Sequence, residues 1–122
     1  MALAGSGPVI AGSMGESIHL SHTDRTELIS AARRALDNAG LSTVPIIAGT
    51  GAGSTRETLQ LTKQAASAGA DYVLIIASGY FSGLLAMNKS ALKAYWKEVA
   101  EKSPIPVMLY NCKFCYFFLN FS

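Results

Sequence analysis

Strong net charge, long apolar runs and dispersed cysteines are all missing from this sequence. Ten basic and eight acidic side chains leave a net charge of +2, and their intermixing gives no basic stripe of the kind that binds nucleic acids or anionic membranes. No apolar run approaches the roughly 18 residues of a membrane span, and the first residues lack a signal-peptide pattern. We therefore expect a soluble, cytoplasmic chain without a nucleic-acid or membrane partner.

Both cysteines lie near the end of the sequence, at positions 112 and 115. Their Cys-x-x-Cys spacing also occurs in redox and zinc motifs. A zinc site needs further ligands, and the only two histidines, His19 and His22, are distant in sequence. We interpret Cys112 and Cys115 as two thiols in an atypical tail and expect no metal site.

That tail, residues 112–122, differs in character from everything before it. It contains five aromatic side chains and a single charged one, Lys113. Such an apolar, β-prone segment favours aggregation unless something covers it. We therefore divide the chain into a body, residues 1–111, and an aberrant aromatic tail, residues 112–122.

Short apolar runs alternate with longer amphipathic segments in the body, a pattern typical of a parallel sheet with crossover helices. The runs predict strands near 8–12, 45–48, 71–77 and 106–110, and the segments predict helices over 21–38, 54–68 and 88–102. Residues 71–77 are so uniformly apolar that we expect this strand to be buried on both faces. Ser54 and Glu57 match a capping box at the start of the second helix.

Ligands of α/β sheets bind beyond the carboxyl ends of the strands, so the segments that follow the strands are candidate sites. Residues 12–15, Gly-Ser-Met-Gly, offer a hydroxyl and successive backbone N–H groups that suit a carboxylate. The same glycines also suit a tight connection that binds nothing. Tyr110 ends the last predicted strand, either as a packing residue or as a proton relay, which needs hydrogen-bonding neighbours such as Ser13 and Tyr80.

Glycines at positions 49, 51 and 53 follow the second predicted strand and resemble half of a dinucleotide-binding fingerprint. Ser54 replaces the last glycine of Gly-x-Gly-x-x-Gly. The required acidic residue should close the next strand, whereas Asp71 opens it. A small nucleotide-binding α/β domain is therefore one alternative, with an incomplete motif.

Taken together, five segments in one order resemble the dihydrodipicolinate synthase and N-acetylneuraminate lyase family. They are Ala-Gly-Ser-Met-Gly-Glu at 11–16, Leu-Ser-His-Thr-Asp-Arg at 20–25, Ile-Ala-Gly-Thr-Gly at 47–51, Ala-Gly-Ala-Asp at 68–71 and Pro-Ile-Pro-Val-Met-Leu-Tyr-Asn at 104–111. The resemblance implies an α/β fold, namely a partial TIM (β/α)₈ barrel. It covers about strands two to five of the family's barrel with the intervening helices, so the barrel is not closed.

Members of that family usually form homotetramers and join a lysine to pyruvate, or a related 2-oxo acid, as a Schiff base. They then make or break an aldol bond without a cofactor. By position, the resemblance implies that Ser13 and the N–H groups of Ser13 and Met14 bind the substrate carboxylate. Thr50 and Tyr80 would line the substrate pocket, and Tyr110 would move protons to and from the bound intermediate.

Three departures from the family pattern limit this transfer. Met14 stands where threonine or asparagine is frequent, so a side-chain hydrogen bond is lost. Phe81 stands where the synthases place a tyrosine that relays protons across a subunit interface. Tyr80 could take the role of that tyrosine only if the loop were shifted by one residue. The family's Schiff-base lysine lies on the sixth strand, beyond the matched segments. We expect an aldolase or lyase by ancestry whose 122 residues are inactive alone. The alternative from another class is a nonenzymatic fragment that associates with full-length subunits.

Overall fold

A parallel sheet with helices on one face makes up the described part of the chain. The computed structural model describes residues 2–77 and 88–111. The strands are β1 (Val9–Ile10), β2 (Ile47–Gly49), β3 (Tyr72–Ile76) and β4 (Val107–Tyr110), in that order across the sheet and all parallel. The helices are α1 (His22–Asn38), α2 (Thr55–Ser67) and α3 (Lys89–Lys102). The predicted α/β architecture is confirmed.

Hydrogen-bonded caps fix where the helices begin. The Ser21 hydroxyl accepts from the Asp24 N–H at 3.2 Å, and the Asp24 carboxylate accepts from the Ser21 N–H at 2.9 Å. This is a complete capping box, with aspartate in the place of the usual glutamate. Ser54 caps α2 by accepting from the Glu57 N–H at 3.2 Å. The Glu57 carboxylate contacts His22, so the expected box is only half formed.

The hydrophobic core lies between the sheet and the three helices. Val73 and Ile75 of β3 are fully buried, as are Ile46 and Ala48 in and before β2. The helices contribute Ile29, Leu36, Ala65, Tyr95 and Val99. Because side chains alternate across a strand, the intervening residues of β3 must point to the opposite face.

That opposite face, here called the inner face, is largely uncovered. Strand register places on it Val9, Ile47, Tyr72, Leu74, Ile76, Met108 and Tyr110. Tyr72 keeps 38% of its surface exposed, and Val9 and Met108 are also exposed. Leu74 and Ile76 are only partly buried and Tyr72 is exposed, so the prediction that β3 is buried on both faces is wrong for its inner side.

A second uncovered apolar surface, the α3–β4 groove, runs along the outer strand. It is lined by Lys89, Leu92, Lys93, Trp96, Lys97, Ala100, Val107 and Leu109. Leu109 points toward the helix layer yet remains 61% exposed. Among the described residues, no helix is both long and apolar enough to cross a membrane.

Candidate functional site

The carboxyl ends of the strands share one edge of the sheet, and the four predicted site residues that the structure describes lie there: Ser13, Met14, Thr50 and Tyr110. Ser13 follows β1, and Tyr110 is the last residue of β4. Since β1 and β4 are the outer strands of the sheet, these two residues occupy opposite ends of that edge. The structure thus brings Ser13 and Tyr110 to the same edge but not to adjacent strands.

The segment from residue 11 to residue 17, here called the 11–17 turn, is folded on itself by backbone hydrogen bonds. The N–H groups of Gly15 and Ser17 donate to the Gly12 carbonyl at 3.0 and 3.4 Å, and the Glu16 N–H donates to the Ser13 carbonyl at 3.2 Å. Within the described residues, the N–H groups of Ser13 and Met14 have no hydrogen-bond partner. Both side chains are exposed, so this turn presents two adjacent N–H donors and a hydroxyl.

Two non-glycine residues with positive φ flank the turn. Ala11 has φ 55° and Glu16 has φ 53°. The left-handed conformation costs an L-residue with a Cβ about 1–2 kcal/mol, so the surrounding contacts must hold the turn in place. Backbone strain of this kind concentrates at functional sites, which makes the turn a stronger candidate than its glycines alone would.

Close backbone approach explains Gly49, the last residue of β2, and Gly51, which follows that strand. A Cβ on Gly49 would lie 2.1 Å from the Ala11 carbonyl oxygen, and one on Gly51 would lie 2.9–3.0 Å from Ile76 atoms. Packing therefore accounts for Gly49 and Gly51 without a phosphate. In particular, Gly49 lets the start of the 11–17 turn lie directly against β2.

Thr50 is buried, and its hydroxyl lies 3.0 Å from the Thr62 hydroxyl of α2. Its side chain therefore belongs to the helix side of the sheet. Its N–H donates to the Leu74 carbonyl at 3.2 Å, so both polar groups of Thr50 that can donate have partners inside the fold. Tyr80 and Phe81 lie outside the described residues, as do Cys112, Lys113 and Cys115.

Arg25 is a site residue that the sequence analysis missed. Its guanidinium donates from Nη2 to the Ser17 carbonyl at 2.5 Å, from Nε to the Leu20 carbonyl at 3.4 Å, and from Nη1 to the Gly49 carbonyl at 3.5 Å. Burial lowers the pKa of Arg25, and the nearby Glu57 carboxylate partly opposes this. An arginine in the first turn of a helix opposes the helix dipole, and this unfavourable placement was the available signal.

The side chains of His22 and Glu57 are in contact beside Arg25. The His22 Nε2 lies 2.5 Å from the Glu57 Oε1, a hydrogen-bond contact that joins the start of α1 to the start of α2. Within the described residues, no three His, Cys, Asp or Glu side chains are grouped so as to hold a metal ion.

Known proteins match both the sequence and this arrangement. A model of the dihydrodipicolinate synthetase family matches residues 4–115. The chain belongs to that family. A protein of Emericella nidulans named "Probable 4-hydroxy-2-oxoglutarate aldolase, mitochondrial" is 47% identical over 106 residues, which are 87% of this chain and 34% of the relative. A 4-hydroxy-tetrahydrodipicolinate synthase of Methanosarcina mazei is 43% identical over 87% of this chain and 33% of its own length.

A solved structure agrees with the fold of this family member. The dihydrodipicolinate synthase of Acinetobacter baumannii, determined in complex with pyruvate, superposes with a TM-score of 0.74 and 32% identity. The match covers 92% of this chain and 36% of that chain. The predicted partial, unclosed barrel is confirmed by these comparisons, and the chain spans about a third of the length of the relatives it matches.

Proposed function

We propose that this chain carries the carboxylate-binding part of a Schiff-base aldolase that acts on pyruvate or a related 2-oxo acid, and that the 122 residues alone do not catalyse the reaction. The observation that supports this most is the 11–17 turn. Its adjacent N–H groups at Ser13 and Met14 lie at the edge of the sheet where the strands end. The relatives of this chain include a protein named as an aldolase and a synthase solved with pyruvate.

The chemistry of each residue follows from its place at that edge. Two N–H donors and the Ser13 hydroxyl can hold the two oxygens of a carboxylate. Tyr110 reaches the inner face from β4. In a complete site its phenol would transfer a proton to or from the bound intermediate.

A Schiff base needs a lysine amine beside the bound carbonyl, and the described lysines lie on the helices instead. Lys63 lies on α2 and the others on α3, all with exposed side chains: Lys89, Lys93, Lys97 and Lys102. A nucleophilic lysine is activated by burial or by a neighbouring cation, and the exposure of these side chains does not supply the first of these. We therefore propose that none of the described lysines attacks the carbonyl.

Borohydride trapping tests this proposal. The folded chain would be incubated with pyruvate and sodium borohydride and examined by intact mass, because reduction converts a lysine imine into a stable secondary amine. We expect no adduct. Mapping an adduct to any lysine of this chain would contradict the proposed inactivity and identify the nucleophile.

The uncovered apolar surfaces favour a second candidate, a nonenzymatic chain that associates with longer subunits of the same family. The α3–β4 groove exposes Leu109 beside Trp96, and the inner face exposes Tyr72. Exposed apolar patches of this kind typically mark interaction surfaces. Size measurement of the chain mixed with a full-length family member should show a joint species that is weakened by Leu109→Glu. Independent elution at every concentration would exclude this candidate.

A further inference from the structure

We propose that Arg25 is a positioning residue: it holds the 11–17 turn against the carboxyl end of β2 and so keeps the Ser13 and Met14 N–H groups aimed at the substrate carboxylate. This inference rests on the proposed function. It concerns a residue that touches no substrate and acts through the backbone of the turn.

The contacts of Arg25 and Gly49 bracket the turn at both ends. At the start of the turn, the Gly49 α-carbon lies against the Ala11 carbonyl, where no Cβ has room. At the end of the turn, the Ser17 carbonyl accepts from Nη2 of Arg25, and Nη1 of the same guanidinium reaches the Gly49 carbonyl. One strand residue, Gly49, thus anchors both ends of the turn, and Arg25 is the link at the second end.

Backbone strain in the 11–17 turn favours its relaxation, and the contacts of Arg25 oppose that relaxation. Ala11 and Glu16 both adopt left-handed backbone conformations, which relax unless other contacts prevent it. Three carbonyls facing one guanidinium form charge-assisted hydrogen bonds, which are stronger than neutral ones. Glu57 balances the cation electrostatically, while His22 holds Glu57 in turn.

Arg33, on the same helix, provides a matched control. Its guanidinium donates to the carbonyls of Gly69, Ser42 and Val44 and to the Asp71 carboxylate at 2.6 Å. These partners precede β2 and β3, so Arg33 ties α1 to the amino edge of the sheet, far from the turn. Arg33→Met should therefore destabilise the fold without altering the 11–17 turn.

Amide hydrogen exchange of the labelled full chain tests the role of Arg25 without any ligand. Arg25→Met should accelerate exchange of the Glu16 and Ser17 amides about tenfold relative to the wild type, the effect expected for losing a charge-assisted hydrogen bond. Arg33→Met should change the same amides only in proportion to global stability, measured by urea unfolding. Unchanged exchange at Glu16 and Ser17 in Arg25→Met would overturn the inference.

Pyruvate titration then connects the turn to binding. Pyruvate should shift the Ser13 and Met14 amide resonances of the wild type and of Arg33→Met alike. Arg25→Met should bind about tenfold more weakly, and Arg25→Lys, which keeps a cation, should recover part of the loss. If pyruvate leaves the wild-type resonances unmoved, the proposed carboxylate site fails, whereas the exchange experiment still decides the role of Arg25. Equal affinities in Arg25→Met and the wild type would refute positioning.

Discussion

Replacing Glu16 by glycine should stabilise the protein, although most substitutions destabilise. Glu16 adopts φ 53° and ψ 36°, in the left-handed region. Its side chain is exposed, and its carboxylate has no hydrogen bond within the described residues. The substitution therefore removes the backbone strain at the end of the 11–17 turn while deleting few contacts.

The expected increase in the free energy of unfolding of Glu16→Gly is the difference of two backbone effects. Glycine avoids the roughly 1–2 kcal/mol that a Cβ costs in the left-handed conformation. Glycine also loses about 0.5–1 kcal/mol more conformational entropy on folding than alanine does. The net stabilisation of Glu16→Gly is about 0.5–1 kcal/mol, while Glu27→Gly, at an exposed position inside α1, should cost a similar amount.

Urea unfolding of the wild type, Glu16→Gly, Glu27→Gly and Glu16→Ala tests the opposite changes in stability expected for the two glycine variants. If the free energy of unfolding falls by about 2 kcal/mol per molar urea, Glu16→Gly should raise the unfolding midpoint by roughly 0.3–0.5 M and Glu27→Gly should lower it. Glu16→Ala removes the carboxylate but keeps a Cβ, so its midpoint should stay near that of the wild type. A midpoint for Glu16→Gly at or below that of Glu16→Ala would refute the reasoning that the turn is strained.

Three further substitutions test the buried hydroxyls. Burial raises the pKa of the Tyr95 phenol, so folding favours the protonated form. The stability that this phenol contributes is fully present below its usual pKa near ~10 and is lost as the pH rises through the higher pKa of the folded state. Urea unfolding from pH 8 to 11 should therefore show wild-type stability falling relative to Tyr95→Phe only above about pH 10. Thr50→Val leaves the Thr62 hydroxyl buried without its partner and should cost about 1–3 kcal/mol, whereas Thr50→Val with Thr62→Val should cost less than the sum of the single changes. Equal and additive losses in that cycle would show that the two hydroxyls do not interact.

Periodicity and capping residues predicted the elements well because both act locally. Gly40 ends α1 with φ +70°, and the buried strand around Val73 lies where the apolar run indicated. Burial of β3 on both faces was wrong because the covering elements are not local to the strand.

The candidate site was only partly predictable for a similar physical reason. Ser13 and Tyr110 could be placed from their positions after strands, a rule of topology. The contact between Arg25 and Ser17 depends on tertiary geometry, which local patterns do not fix. The direction of Thr50 was predictable: alternation from the buried residues Ile46 and Ala48 places its side chain on the helix side of the sheet.

Strand order also explains why binding and chemistry should separate in this chain. The strands β1 and β4 are three steps apart in the sheet, and at about 4.8 Å per step their ends would lie roughly 14 Å apart on a flat sheet. Pyruvate cannot span that distance, so under the proposed function the 11–17 turn and Tyr110 would act on one substrate only where barrel curvature turns both strand ends inward. Carboxylate binding would need only the end of β1, whereas proton transfer would need the ends of both β1 and β4. Pyruvate should therefore shift the Ser13 and Met14 amides of a chain in which borohydride traps nothing.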